Sequence, residues 1–121
     1  MSRIVIVEDT PANQALATKL LTAAGHEVIL ASTGIEGVRL VRERSPDLVL
    51  MDLGLPDIDG RAALQEIRTT VPGGPGIKVV AFTAHAMVGD RERALASGFD
   101  GYLSKPIEFA TFAESVEALL P

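Results

Sequence analysis

Five short apolar runs punctuate the chain: "RIVIV" at 3 to 7, "EVILA" at 27 to 31, "LVLM" at 48 to 51, "KVVAF" at 78 to 82 and "GYL" at 101 to 103. Four are rich in Val, Ile or Leu without clean apolar/polar alternation, the pattern of parallel strands covered on both faces. Segments with helical spacing lie between them. The first has Thr10 as N-cap and Pro11 at the first helical position, then Leu16, Leu20, Leu21 and Ala24 on one face and Gly25 as the stop. The later ones carry Ile35, Val38 and Val41, then Leu64, Ile67 and Val71, then Ala94 and Leu95, and last Phe109, Phe112, Val116 and Leu119, the final stripe read as core. Because each parallel crossover must be right-handed and must lay a helix on one face or the other, five β-α units in a row predict a doubly wound α/β sandwich with a five-stranded parallel sheet. A closed eight-fold barrel would need about twice the chain.

Length and composition bound what this sheet can serve. The 121 residues suffice for a single domain, expected to span 1–121, with one core. With 47% hydrophobic and 22% charged residues the chain reads as soluble and globular. No apolar run approaches the ~20 residues that span a bilayer, so no membrane insertion is expected. "MSRIVIVED" lacks the apolar stretch and cleavage site of a signal peptide, and a cytoplasmic location follows by default. The absence of cysteine excludes disulfides, thiolate metal sites and cysteine nucleophiles. A net charge of −5 without a basic cluster argues against direct nucleic-acid binding and favours protein or small cationic partners. "PGGPG" at 72 to 76 reads as a flexible turn and lacks the Gly-Lys-Ser/Thr of a phosphate loop. His26 and His85 read as surface loop histidines, and Met1, Met51 and Met87 need nothing beyond initiation and packing.

Ligands of open α/β sheets bind outside the carboxyl ends of the strands, where the winding reverses. At those ends stand Glu8 and Asp9, Asp52, Thr83 with Ala84, and Ser104, Lys105 and Pro106. With strand order 2-1-3-4-5 the reversal falls between strands one and three, so Glu8, Asp9 and Asp52 meet across the crevice. Three crowded carboxylates call for positive charge. A hard divalent cation on carboxylate oxygens answers that need, with Mg²⁺ as the abundant candidate, and Lys105 adds a second cation. Thr83 can donate a hydroxyl to an oxygen at the centre. A metal, a lysine and a hydroxyl around one carboxylate suit phosphoryl transfer with Asp52 as nucleophile.

These residues resemble the receiver domains of two-component response regulators, with the flavodoxin-like fold of CheY and strand order 2-1-3-4-5. "IVIVEDTPANQ" is similar to the family's first strand and acidic pair, and "DLVLMDLGLPDIDG" to its phospho-acceptor strand with the Pro and Gly loop. "VVAFTAHAMVGDRERALASGFDGYLSKPI" supplies the Thr, the small Ala84, the aromatic Tyr102 and the Lys105-Pro106 pair. The wording is most similar to receivers of hybrid histidine kinases and to single-domain regulators of the DivK type. The resemblance covers essentially the whole chain. It implies Asp52 as phospho-acceptor, Glu8 and Asp9 with Asp52 and the Gly54 carbonyl as Mg²⁺ ligands, and Lys105 as partner of the phosphoryl group. Thr83 and Tyr102 would move together as the switch, reshaping the face built from the fourth helix, fifth strand and fifth helix. Lys105-Pro106 would be a cis peptide. Leu55 stands where Met often precedes the Pro, and Gly54 and His85 occupy variable positions that influence phosphoryl lifetime.

The function implied is a phosphorelay switch. A histidine kinase or phosphotransfer protein donates the phosphoryl group, and a downstream protein partner senses the altered face. No separate substrate is turned over, although self-phosphorylation from small donors and self-dephosphorylation are expected. Pairing specificity is expected on the exposed part of the first helix, near Asn13, Gln14 and Thr18. Taken singly, the residues have plainer readings: Asp52 as a turn former, Glu8 and Asp9 as first-turn charges, Thr83 as a cap, Lys105 as a solvated lysine, Tyr102 as packing and Pro106 as a helix start. Two other classes also fit parts of the pattern. One is a constitutive interaction module that takes no phosphate. The other is a hydrolase with an Asp nucleophile, for which the chain offers neither a second acid nor a cap.

Overall fold

The computed structural model describes residues 2–84 and 89–121. Its elements alternate as β1 (Arg3–Val7), α1 (Pro11–Ala23), β2 (Glu27–Ala31), α2 (Gly34–Arg44), β3 (Leu48–Met51), α3 (Gly60–Thr70), β4 (Lys78–Thr83), α4 (Asp90–Ala96), β5 (Gly101–Ser104) and α5 (Phe112–Glu117), with a single 3-10 turn over Gly74–Gly76. The strands form one parallel sheet, as the alternation predicts, in the order β2-β1-β3-β4-β5 that the family resemblance implies. Val7 pairs with both Ala31 and Met51, which puts the ends of β1, β2 and β3 level at the reversal.

The strands read as continuous apolar runs because each feeds two cores. Val5, Val7, Val49, Met51, Val79 and Ala81 point to one face and pack with residues of α2, α3 and α4. Ile4, Ile6, Leu48, Leu50, Val80 and Phe82 point to the other, against Ala17 and Leu21 of α1 and Phe112 and Val116 of α5. Alternate residues therefore face opposite sides, yet both sides exclude water. The Phe82 and Phe112 rings meet at 5.8 Å, which fixes α5 beneath the end of β4.

Helix faces depart from the sequence reading where small residues carry the contact. In α2 the buried residues are Gly34, Gly37, Val38 and Val41, whereas Ile35 is 63% exposed. A Cβ on Gly37 would meet Val7 Cγ2 at 2.6 Å, so the helix approaches the sheet on glycines, which leave no trace in a pattern of apolar side chains. The α1 face centres on Ala17 and Leu21, with Ala24 exposed. On α4 only Ala94 is buried, and Leu95 lies on the outer face. Phe109 is 66% exposed and precedes α5, so it is not core; its ring lies under the Lys19 ammonium at 6.0 Å.

Two loop readings change as well. His26 is buried, not a surface residue: its Nδ1 accepts the Ser2 N–H at 3.1 Å and its Nε2 lies 2.9 Å from Glu117 Oε2. With Nδ1 accepting, Nε2 carries the proton and donates to Glu117. "PGGPG" is tied down rather than free. Arg68 of α3 donates to the Gly74 and Ile77 carbonyls at 2.8 and 2.5 Å and to Asp100 Oδ2 at 2.8 Å. Gly74 is buried, and a Cβ there would collide with the Ile67 carbonyl. Met1, His85 and Met87 lie outside the described residues. No helix among the described residues is long and apolar enough to cross a membrane.

Candidate functional site

The sheet's own hydrogen bonds run one residue past the strand ends and so set the crevice. Glu8 donates its N–H to the Ala31 carbonyl at 2.9 Å, Asp52 to Val7 at 3.0 Å, and Lys105 to Thr83 at 2.9 Å. Each backbone is thus held by a neighbouring strand while its side chain leaves the sheet at the carboxyl edge. Carboxylate oxygens of Glu8, Asp9 and Asp52 all lie within 4.8 Å of one another. Glu8 is fully buried, Asp52 is 7% exposed, and Asp9 opens to solvent.

Every oxygen of the inner two carboxylates has a donor. Asp52 Oδ1 accepts the Gly54 N–H at 3.1 Å and Oδ2 the Lys105 ammonium at 3.1 Å. Lys105 Nζ also pairs with Glu8 Oε1, and it lies over the Phe82 ring at 5.0 Å. The lysine reaches the centre along an apolar wall, with its side chain only 10% exposed. One ammonium against three carboxylates leaves two negative charges, and all remaining donors are hard oxygens. That donor set fits a divalent cation of the Mg²⁺ type.

The other expected residues lie at the ends of β3, β4 and β5 or beside them. Thr83 is buried at the last position of β4, opposite Ser104, and Ala84 follows it, exposed. Lys105-Pro106 is a cis peptide. Gly54 is exposed beside Asp52, with its N–H turned onto the carboxylate. Tyr102, half-buried, packs against the core shared by α2, α3 and α4. Burial pushes its phenol above the ordinary value of 10.0 and the Asp90 carboxylate adds to the effect, so the ring stays neutral at physiological pH.

Residues 4–117 match the response regulator receiver domain. The chain belongs to this family of two-component signalling domains. Among its curated relatives is the polar-differentiation response regulator DivK of Brucella ovis, 38% identical, the match covering 97% of this chain and 94% of that protein. The receiver domain of a sensor histidine kinase from Pseudomonas aeruginosa, solved with a magnesium ion coordinated in its active-site cleft, is 38% identical with a TM-score of 0.83, covering 98% of this chain and 93% of that one. A CheY-like receiver protein from Methanospirillum hungatei is 30% identical with a TM-score of 0.84, covering 98% and 94%.

Several residues that hold this receiver's crevice together escape a reading of the sequence. Thr10 stands at the N-cap of α1 but its side chain makes no cap bond. Its N–H instead donates to Glu8 Oε2 at 3.2 Å, and Asn13 donates from Nδ2 to Glu8 Oε1 at 3.1 Å. Gln14 donates to the Glu8 carbonyl at 2.6 Å and to Ser32 Oγ at 3.1 Å. Asn13 and Gln14 are therefore crevice residues, half-buried, and Thr18 is half-buried with its hydroxyl enclosed. The loop after Asp52 is pinned as firmly. Asp57 accepts the Gly34 and Ile35 N–H groups at 2.8 and 2.9 Å, capping α2 from outside. Asp59 caps α3 through the N–H groups of Arg61 and Ala62. A Cβ on Gly60 would run into the Asp52 carbonyl oxygen, which is why Gly closes this loop. Asp59 before an apolar-periodic segment is a legible cap; Asp57 is not, because its partners lie more than twenty residues upstream.

Proposed function

We propose that Asp52 accepts a phosphoryl group from a phosphohistidine of a histidine kinase or phosphotransfer protein, with Mg²⁺ held by Glu8, Asp9, Asp52 and the Gly54 carbonyl. The observation that carries this reading is the acidic trio with the Lys105 ammonium 3.1 Å from Asp52 Oδ2. In phosphoryl transfer the protein mainly positions the reactants and neutralises the equatorial oxygens. The bound ion supplies Lewis-acid charge for those oxygens. An Asp52 oxygen forms the new P–O bond as the donor's P–N bond breaks, and the electron pair returns to the imidazole nitrogen.

Lys105 then leaves Glu8 and pairs with a phosphoryl oxygen, its charge already desolvated along Phe82. Thr83 turns its hydroxyl to the same group, and the small Ala84 leaves room for it. Tyr102 moves inward in step. The altered surface of α4, β5 and α5 is what a downstream protein partner distinguishes, and the phosphoryl group biases it only by its differential affinity for the two states. The protein acts as a switch, not on a separate substrate, and we take its location as cytoplasmic.

The test is intact mass after incubation with Mg²⁺ and acetyl phosphate, beside Asp52→Asn and a metal-free control. A gain of one phosphoryl group that needs both Mg²⁺ and Asp52 is the expected result. A folded wild-type protein with no gain would turn the reading toward a constitutive interaction module.

A further inference from the structure

Glu8 differs from the other crevice carboxylates in having one more rotatable bond, and more torsional freedom must be suppressed before it presents its oxygens in a fixed direction. The side chain is fully buried and anchored at both oxygens by fixed donors, Oε2 by the Thr10 N–H at 3.2 Å and Oε1 by the Asn13 amide at 3.1 Å. Lys105 is a third donor, but its ammonium is shared with Asp52 and sits on a flexible stem. Asn13 lies in the first turn of α1, where a short polar side chain commonly bonds nearby backbone. It reaches out of the helix to the Glu8 carboxylate instead, while α1 goes without a side-chain cap.

Resting on the metal reading above, we propose that Asn13 is a positioning residue whose amide orients the Glu8 carboxylate for the divalent cation. Without that amide the carboxylate keeps one fixed anchor, the Thr10 N–H, and turns about it toward Lys105. Gln14 provides the internal contrast. It binds the Glu8 backbone carbonyl and Ser32, and leaves the carboxylate alone. Loss of Gln14 loosens the loop; loss of Asn13 redirects a ligand.

The experiment is calorimetric titration of Mg²⁺ into the full chain as wild type, Asn13→Ala, Asn13→Leu and Gln14→Ala, with folding checked by circular dichroism. Outer-sphere partners of metal ligands change affinity about 10–100-fold, so both Asn13 variants are expected to weaken Mg²⁺ at least ~10-fold and Gln14→Ala by less than ~2-fold. Asn13→Leu keeps the branched shape of the side chain without its polar atoms and serves if the Ala variant fails to fold. Wild-type affinity in a folded Asn13 variant overturns the proposal, as does an equal loss in Gln14→Ala, which would mark a general loosening. If wild type takes up no Mg²⁺, the metal reading itself fails and takes this role with it.

Discussion

Replacing Arg68 with Ala removes one guanidinium that serves four acceptors: the carbonyls of Gly74, Ile77 and Gly98 and the Asp100 carboxylate. The side chain is 17% exposed, so its bonds are partly shielded from water. Gly98 and Asp100 are exposed and rehydrate when the arginine goes, and we assign little to them. The Gly74 and Ile77 carbonyls lie inward, and each loses a charged donor worth about 1–2 kcal/mol net. The sum is about 2–4 kcal/mol. At ~2.1 cal/mol/K of unfolding entropy per residue, a chain of this length loses ~4 °C of melting temperature per kcal/mol, which gives a drop of about 8–16 °C. Thermal and urea unfolding followed by far-UV circular dichroism measure both quantities. Arg68→Lys should recover less than half the loss, because a flexible ammonium lacks the planar guanidinium that holds Nη1 on both carbonyls while Nη2 is tied to Asp100. A change below ~0.5 kcal/mol in Arg68→Ala would refute the idea that the arginine holds the 72–76 segment in place.

The remaining predictions concern the crevice and its supports. Asp57→Asn should cost about 0.5–2 kcal/mol at neutral pH. Burial pushes the Asp57 carboxyl up, but N–H groups of Ile35, Gly34, Ile58 and its own residue outweigh that and hold it below the ordinary 3.8, so the difference from wild type should be full above that value and fade as pH falls through the lowered one, as urea titrations across acid pH would record. Lys105→Met leaves three carboxylates without a counter-charge and should lower metal-free stability by about 2–4 kcal/mol; Mg²⁺ should stabilise this variant more than wild type in a thermal-shift titration, since no ammonium competes. His26→Phe strands the Ser2 N–H, while the exposed Glu117 carboxylate rehydrates, and should cost about 1–2 kcal/mol, read by urea unfolding.

The parallel sheet and the residues at its carboxyl edge could be read from the sequence because both rest on local signals, apolar runs alternating with helices and polar residues directly after them, whereas the strand order followed only from the resemblance to the receiver family. The acidic trio and Lys105 sit where strand ends place them, needing no long-range information beyond topology. What stayed hidden depends on partners far along the chain or on absent side chains. Asp57 finds its acceptor role on α2, and His26 on α5 and the chain start. The buried face of α2 runs through Gly34 and Gly37, so Ile35 looked like core and points to solvent. Phe109 failed as core for a related reason: hydrophobicity alone cannot say where a helix begins, and α5 starts three residues later.

Residues 53 to 59 connect β3 to α3, but they also serve the Asp52 carboxylate through Gly54 and two helix starts through Asp57 and Asp59. A connection bound to so many clients has no slack. Lengthening it by one residue would pull Asp57 off α2 or Gly54 off Asp52, whichever side of the insertion gave way. Swapping this stretch between related proteins should therefore succeed only at constant length and with the start of α2 carried along. For an engineer seeking a place to graft a sensor peptide, this loop is a poor choice, although Gly54, Pro56, Asp57 and Asp59 are exposed.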